Sequence, residues 1–351
     1  RILFFVHGLL MRITYLHQYF NTPEMTGGTR SYEMAKRLVA KGHDVNMITS
    51  WRENDGRKVW FESEEANVRI DWLPVSFSNN MAYRERIWAF LRFAFRAALK
   101  AQSIPADIIF ATSTPLTIAL PGVYAARKQK VPMVFEVRDL WPDLPIAVGA
   151  LQSILVQRLA RWLESFAYKR SAHLVALSPG MREGIVAKGV RKECVSVIPN
   201  SSDLEMFDPS QADPVLFRHR HPELGSSPLV VYTGTIGRMN GVDYLVRIAA
   251  AARMRHDELI FVVVGRGQEE TRVREEAKRL QVLRKNFFLY PAAPKSEVPN
   301  ILASAEIALS LFVDVELMWT NSANKFFDAL ASGTPVAINY GGWQADLLRS
   351  A

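Results

Sequence analysis

"NSANKFFDALASGTPV", residues 321 to 336, decides how this chain is read. Phe326, Phe327 and Leu330 recur at helical spacing, so one side of a short helix is expected to face a core. Lys325 and Asp328 lie three residues apart and share another side. Gly333 is placed to end the helix, and Pro335 prevents it from resuming. The "VAIN" that follows, residues 336 to 339, reads as a buried strand. Such a unit is either scaffolding around an intrahelical Lys–Asp pair or a holder of something charged. The segments that precede it choose between the two.

Strand-like apolar runs alternate with amphipathic stretches of helical period back to the start of the chain. "RITYLHQYF" (12–20), "DVNMITS" (44–50), "VRIDWLPV" (68–75), "DIIFAT" (107–112), "PMVFEVRD" (132–139) and "HLVALS" (173–178) form a first series. "LVVYTG" (229–234), "LIFVVVG" (259–265), "NFFLY" (286–290) and "AEIALSLF" (305–312) form a second. Strands alternating with helices predict right-handed βαβ units and parallel sheets. The expected architecture is α/β, with two doubly wound Rossmann-like domains facing a cleft, where ligands collect at the carboxyl ends of the strands. Residues 11–204 are expected as the first domain, 205–228 as a linker and 229–351 as the second. Residues 1–10 read as an extension ahead of the fresh start at Met11, and "GGWQADLLRSA" reads as a second domain cut short.

Composition narrows the classes. A length of 351 residues with 49% apolar and 22% charged residues describes a globular protein. One cysteine, Cys194, excludes an internal disulfide and suits a reducing compartment, so a cytoplasmic location is expected. No apolar run is long enough to span a membrane. A net charge of +8 favours anionic partners. The basic residues are scattered and no nucleic-acid-binding module is present, so nucleic acid is not expected as a partner.

Three loops follow strands in places where phosphate could bind. Gly27 and Gly28 stand between the first strand and the first helix, where backbone N–H groups and a helix N-terminus favour an anion; a plain connecting loop reads equally well. "YTGTIGRMNG" puts Arg238 just past the first strand of the second series, where a guanidinium can fork onto a diphosphate or simply be solvated. "VVVGRGQEE" supplies Gly265 and Gly267, but Glu270 breaks the dinucleotide pattern. There is no P-loop, no H-E-x-x-H, no cysteine pair and no D-x-D pair in a suitable loop, so no metal or other cofactor is expected.

The glycine pair at 27–28, "FEVRDLWPD", "VIPNSSDLEMF", "YTGTIGR", "VVVGRG" and "NKFFDALASGTPV" occur in the order found in family 4 retaining glycosyltransferases of the GT-B fold, which this chain resembles over residues 27–336. "EVRDLWP" with "NKFFDALASG" most resembles the bacterial branch that builds O-antigens and capsules. The resemblance implies transfer of a sugar from a UDP- or GDP-sugar to a lipid-linked saccharide, with retained anomeric configuration. Asp328 takes the position of the second glutamate of the family's E-x7-E motif, which implies a contact to ribose, while Thr320 stands in the first position. Arg238 matches the arginine on the diphosphate. The lysine that often follows it is missing, and Lys325 is expected to supply that charge together with the Gly27–Gly28 amides. Base contacts are implied at the loops of Gly265 and Ala292. Arg138 and Asp139 match the family's His-Asp on the acceptor side and are the remaining catalytic candidates, with an ion pair between them as the alternative. Asn200 and Asp203 match its N-G-V-D turn and are expected to shape it; bland roles suffice for His7 and His17.

The segment "RERIWAFLRFAFRAALKA", residues 84 to 101, carries a stripe of Arg92, Arg96 and Lys100 beside Trp88, Phe90, Leu91, Phe93, Phe95 and Leu99. It suits a helix lying on an anionic bilayer, at the inner face of the cell membrane, or a helix packed on both sides with its stripe in water. Two other functions compete: a nucleotide-sugar epimerase of the same two-domain architecture, which would need no acceptor, and a basic non-catalytic binding protein.

Overall fold

The first strand sits at the middle of its sheet, and the chain winds outward from it in both directions. A computed structural model describes residues 10–75, 83–255 and 258–351; most of the expected extension, with His7, lies outside them. The first sheet is built from β1 (Arg12–Leu16), β2 (Asp44–Trp51), β3 (Phe61–Glu65), β4 (Val68–Pro74), β5 (Ile108–Thr112), β6 (Met133–Val137), β7 (His173–Ala176) and β8 (Val195–Val197), in the order β3-β4-β2-β1-β5-β6-β7-β8. All pairs are parallel except β3 with β4. Sequence periodicity missed β3, whose "FESEE" alternates too little at the sheet's edge to resemble a core strand.

Helices connect these strands: α1 (Arg30–Ala40), α2 (Tyr83–Ser103), α3 (Ala119–Gln129), the short α4 (Asp143–Ala147), α5 (Ile154–Arg170) and α6 (Pro179–Ala187). Among the described residues no helix is long and apolar enough to cross a membrane.

The second sheet is wholly parallel, with order β11-β10-β9-β12-β13. Its strands are β9 (Leu229–Thr233), β10 (Ile260–Val264), β11 (Phe287–Tyr290), β12 (Ile307–Ser310) and β13 (Val336–Ile338). Along β9, Val230 and Tyr232 enter one core while Leu229 and Val231 enter the other. That alternation is what a parallel strand covered on both faces requires. The covering helices are α7 (Leu216–Arg220), α8 (Asp243–Met254), α9 (Glu270–Arg279), α10 (Val298–Ala303), α11 (Asn324–Ala331) and α12 (Trp343–Ser350).

The chain divides into two compact units, residues up to 20 with 31–198, and residues 21–30 with 199–351. Two expectations change here. Residues 205–228 are not a free linker, because Phe207, Phe217 and Leu224 are core residues of the second unit. The Gly27–Gly28 loop groups with the second unit although it follows the first strand: the Pro23 carbonyl accepts from the Ser296 N–H at 3.3 Å, and Arg30 donates to the Pro199 carbonyl at 2.6 Å.

Candidate active site

Helix α11 forms where expected and ends as expected. Gly333 takes the left-handed conformation (φ +66°), and Thr334 N–H closes back onto the Ala329 carbonyl at 3.0 Å. Its buried face differs from the one expected. Phe326, Asp328 and Ala329 are buried, whereas Leu330 is 48% exposed. The rotation follows from Asp328, whose carboxylate turns inward to a partner. Nor is "VAIN" a buried strand: β13 is an edge strand paired only with β12, and Ala337 is exposed.

That partner is Lys295, and it excludes the intrahelical Lys–Asp pair. Lys295 Nζ reaches Asp328 Oδ2 at 2.5 Å, with both side chains largely out of solvent. Ser202 donates to the other carboxylate oxygen at 3.0 Å. Lys295 also lies over the Phe207 ring at 4.8 Å. Ser202 is held in reach because Asn200 is tied to the loop before α11: its N–H donates to Ser322 Oγ at 3.0 Å and its side-chain amide to the Ser322 carbonyl. Asp203 caps its own turn as expected, accepting from Glu205 N–H at 3.0 Å. Thr320 donates to the Leu317 carbonyl of its own turn at 2.8 Å.

Lys325 points elsewhere, toward the loop that follows β9. Its ammonium donates to Tyr232 Oη at 3.1 Å and lies over the Tyr232 ring at 4.7 Å and the Phe312 ring at 5.7 Å. With the Asn240 amide oriented to satisfy both its ends, the oxygen accepts from Lys325 at 3.2 Å. Among the described residues no carboxylate pairs with Lys325. Burial pushes its pKa down to about 8, against the opposing pull of Asp328. Tyr232, whose phenol burial raises, in turn donates to the Thr235 carbonyl at 2.8 Å.

The loops after β9 and β10 are pressed together. Ile236 N–H donates to the Arg266 carbonyl at 2.9 Å, and Glu269 N–H to the Ile236 carbonyl at 3.1 Å. A Cβ on Gly265 would lie 1.9 Å from the Gly234 carbonyl oxygen, and one on Gly267 would lie 2.2 Å from that of Ile236. Close backbone approach therefore accounts for both glycines, and a broken dinucleotide fingerprint need not be invoked. Arg238 is exposed at the tip of the first loop, with no hydrogen bond or ion pair among the described residues. Ala292 is half-buried in the segment that follows β11. Gly27 has φ +124°, and a Cβ there would meet Asn21 Nδ2 at 2.7 Å. The structure thus brings Asp328 and Lys325 onto one helix, with Lys325 against the Gly234–Asn240 loop.

In the first unit Arg138 and Asp139 follow β6. They do not form the ion pair offered as their alternative. Arg138 Nη1 faces His17 Nε2 at 3.5 Å, and Thr114 donates to Asp139 at 3.2 Å. Burial raises the Asp139 pKa against the opposing effect of Arg138. His17, read as bland, is buried with Nδ1 unpartnered, and its pKa is driven well below the usual histidine value by burial and by Arg138 and Arg52. It is therefore a neutral imidazole beside two guanidiniums. Nothing in the sequence linked residues 17 and 138; the pairing of β1 with β5 and of β5 with β6 does so.

Residues 26–201 match the profile of the glycosyl transferase 4-like domain, half of the chain, and residues 227–349 match that of glycosyl transferases group 1. The chain belongs to the glycosyl transferase 4-like family. This glycosyltransferase is 24% identical over 304 residues to WcaI of Escherichia coli K12, named for colanic acid biosynthesis, with 82% of this chain and 74% of that one covered. It is 24% identical over 325 residues to the alpha-monoglucosyldiacylglycerol synthase of Streptococcus pneumoniae R6, covering 90% and 68%. Its fold is the two-domain GT-B fold. The crystal structure of Anabaena Alr3699/HepE in complex with UDP and glucose superposes with a TM-score of 0.66 at 14% identity, over 97% of this chain and 88% of that one.

Proposed function

We propose that this glycosyltransferase moves a sugar from a UDP- or GDP-sugar to a lipid-linked saccharide, with retained anomeric configuration, in the O-antigen and capsule branch of the family. The observation that carries the donor half is Lys325. A half-buried ammonium lying over two aromatic rings, with only neutral oxygens as partners among the described residues, is incomplete until an anion arrives. In this reading the anion is the donor diphosphate, shared with Arg238 and with the amides of Gly27 and Gly28. Asp328, fixed by Lys295 and Ser202, keeps lone pairs for ribose hydroxyls, and the backbone around Gly265 and Ala292 faces the base. The UDP complex of the HepE structure supports a nucleotide-sugar donor.

The C1–O bond to the diphosphate breaks, its electron pair staying on the phosphate. The acceptor hydroxyl forms the new bond on the same face and gives its proton to the departing phosphate. Lys325 and Arg238 stabilise the developing charge, so the reading requires no metal ion. Arg138 and Asp139 serve the acceptor side, with neutral His17 fixing the Arg138 guanidinium. The name of one relative, a monoglucosyldiacylglycerol synthase, supports a lipid-borne acceptor, and that of another, for colanic acid biosynthesis, supports a polysaccharide product.

Helix α2 would bring the enzyme to that acceptor at the inner face of the membrane. Trp88, Leu91, Phe95 and Leu99 are exposed, and with Arg92 and Arg96 they fall on one helical face. Three expected members leave this face. Phe93 is a core residue, Phe90 is half-buried with its ring centroid 6.4 Å from that of Tyr19, and Lys100 is bound to Asp71 at 2.6 Å. Calorimetric titration with UDP and GDP tests the donor reading. One nucleotide should bind, and both Arg238→Ala and Lys325→Met should weaken it by about tenfold or more. Unchanged affinity in both variants would overturn the assignment of the diphosphate site.

A further inference from the structure

Helix α5 carries a second exposed apolar face that the transfer reaction does not use. Ile154, Leu155, Leu159 and Trp162 are 66%, 78%, 62% and 57% exposed. Leu155, Leu159 and Trp162 fall at i, i+4 and i+7, with Arg158 and Arg161 exposed among them. Its opposite side is core, with Ala160, Glu164, Ala167 and Tyr168 buried. Scattered exposed leucines need no explanation, but a run of large apolar side chains along one helix marks an interaction surface. Helices α2 and α5 both pack on α3 and on the 3-10 turn Leu116–Ile118, so they lie on the same side of the eight-stranded sheet.

We infer that α5 joins α2 in one surface that docks on an anionic phospholipid bilayer, with Trp162 and Trp88 at headgroup depth and the arginines on lipid phosphates. Charge selects this occupant. Arg92, Arg96, Arg158 and Arg161 are all exposed, and among the described residues none makes an ion pair. The acids of the two helices are Glu85, at the start of α2, and Glu164, which is buried. A second copy of the chain docking through this face would set arginines against arginines, because a two-fold interface pairs each patch with itself. An anionic headgroup layer supplies the missing charge, while tryptophan and leucine find the interface between headgroups and acyl chains. The inference extends the membrane reading of α2 and uses none of the nucleotide chemistry.

The test is co-sedimentation of the full chain with vesicles of phosphatidylcholine, alone or mixed with phosphatidylglycerol. Alongside the parent run an α5 variant (Leu155→Ser, Leu159→Ser, Trp162→Ser), a charge variant (Arg158→Glu, Arg161→Glu) and an α2 variant (Trp88→Ser, Phe95→Ser). All seven positions are exposed, so the variants should keep the parent's melting temperature. The parent should prefer the mixed vesicles, and each variant should partition about tenfold or more weakly, since lost apolar contact and lost charge both act on the same equilibrium. Parental binding by the two α5 variants, with loss only in the α2 variant, would remove α5 from the surface. A parent that ignores vesicles but elutes as a dimer, and becomes monomeric in the α5 variant, would make the face a protein interface. A chain that binds vesicles but neither UDP nor GDP would keep this inference and remove the donor reading.

Discussion

Asp328 and Lys325 lie three residues apart on one helix, and the protein treats them in opposite ways. Asp328 has its counter-charge: a lysine from the start of the α10 segment and a serine from the 200–203 turn each hold one of its two oxygens. Lys325 is held by aromatic faces and neutral oxygens, with no counter-charge in contact among the described residues. A charge with its partner in place is part of the scaffold. One held in a low-dielectric setting without a partner costs stability, and such a cost is retained where a ligand repays it. The contrast separates a charge already paired within the fold from one that is not.

The largest effect should come from breaking the paired side. Lys295→Met leaves the Asp328 carboxylate buried and unpaired, and should lower unfolding free energy in urea by about 3 kcal/mol. The matching change, Lys325→Met, should leave stability within about 1 kcal/mol of the parent or raise it, because it removes an uncompensated charge. Equal losses in the two variants would erase the distinction. In binding the order reverses. Lys325→Met should weaken the nucleotide by about 1.4 kcal/mol or more. Ser202→Ala removes one neutral donor to a carboxylate and should cost about 1 kcal/mol of stability.

The smallest effect is a pH dependence of fixed sign. The Lys325 pKa is lowered to about 8 in the folded chain from its ordinary value of 10.5, which it regains when unfolded. Folding thus favours the neutral amine, and stability from this group is lost as pH falls from the unfolded value through 8. A bound diphosphate reverses that preference. Nucleotide affinity, followed by calorimetry, should therefore fall as pH rises through about 8, and Lys325→Met should flatten the profile.

How much of this could be read from the sequence follows from range. Alternating strands and helices, the order of the glycine loops and the extent of α11 are local signals, and they emerged where expected. The inward turn of Asp328 did not, because Lys295 is 33 residues away and Ser202 is 126. Helical spacing placed Leu330 in the core, whereas the folded helix buries Asp328 against Lys295 and leaves Leu330 exposed. Residues 205–228 look like a linker because Pro, Ser and charges outnumber the apolar residues. Only the fold shows that Phe207, Phe217 and Leu224 are anchors. His17 and Arg138 meet 121 residues apart, through strand order that no motif encodes.

The setting of Lys325 also makes it a chemical handle. With a pKa of about 8, roughly a tenth of its amines are unprotonated at neutral pH, against far less than a hundredth for an ordinary lysine. An aldehyde carrying a phosphate would be drawn to the site and form a Schiff base there that borohydride could fix. Brief treatment with pyridoxal phosphate should therefore mark this lysine ahead of exposed ones, and prior addition of the nucleotide should shield it.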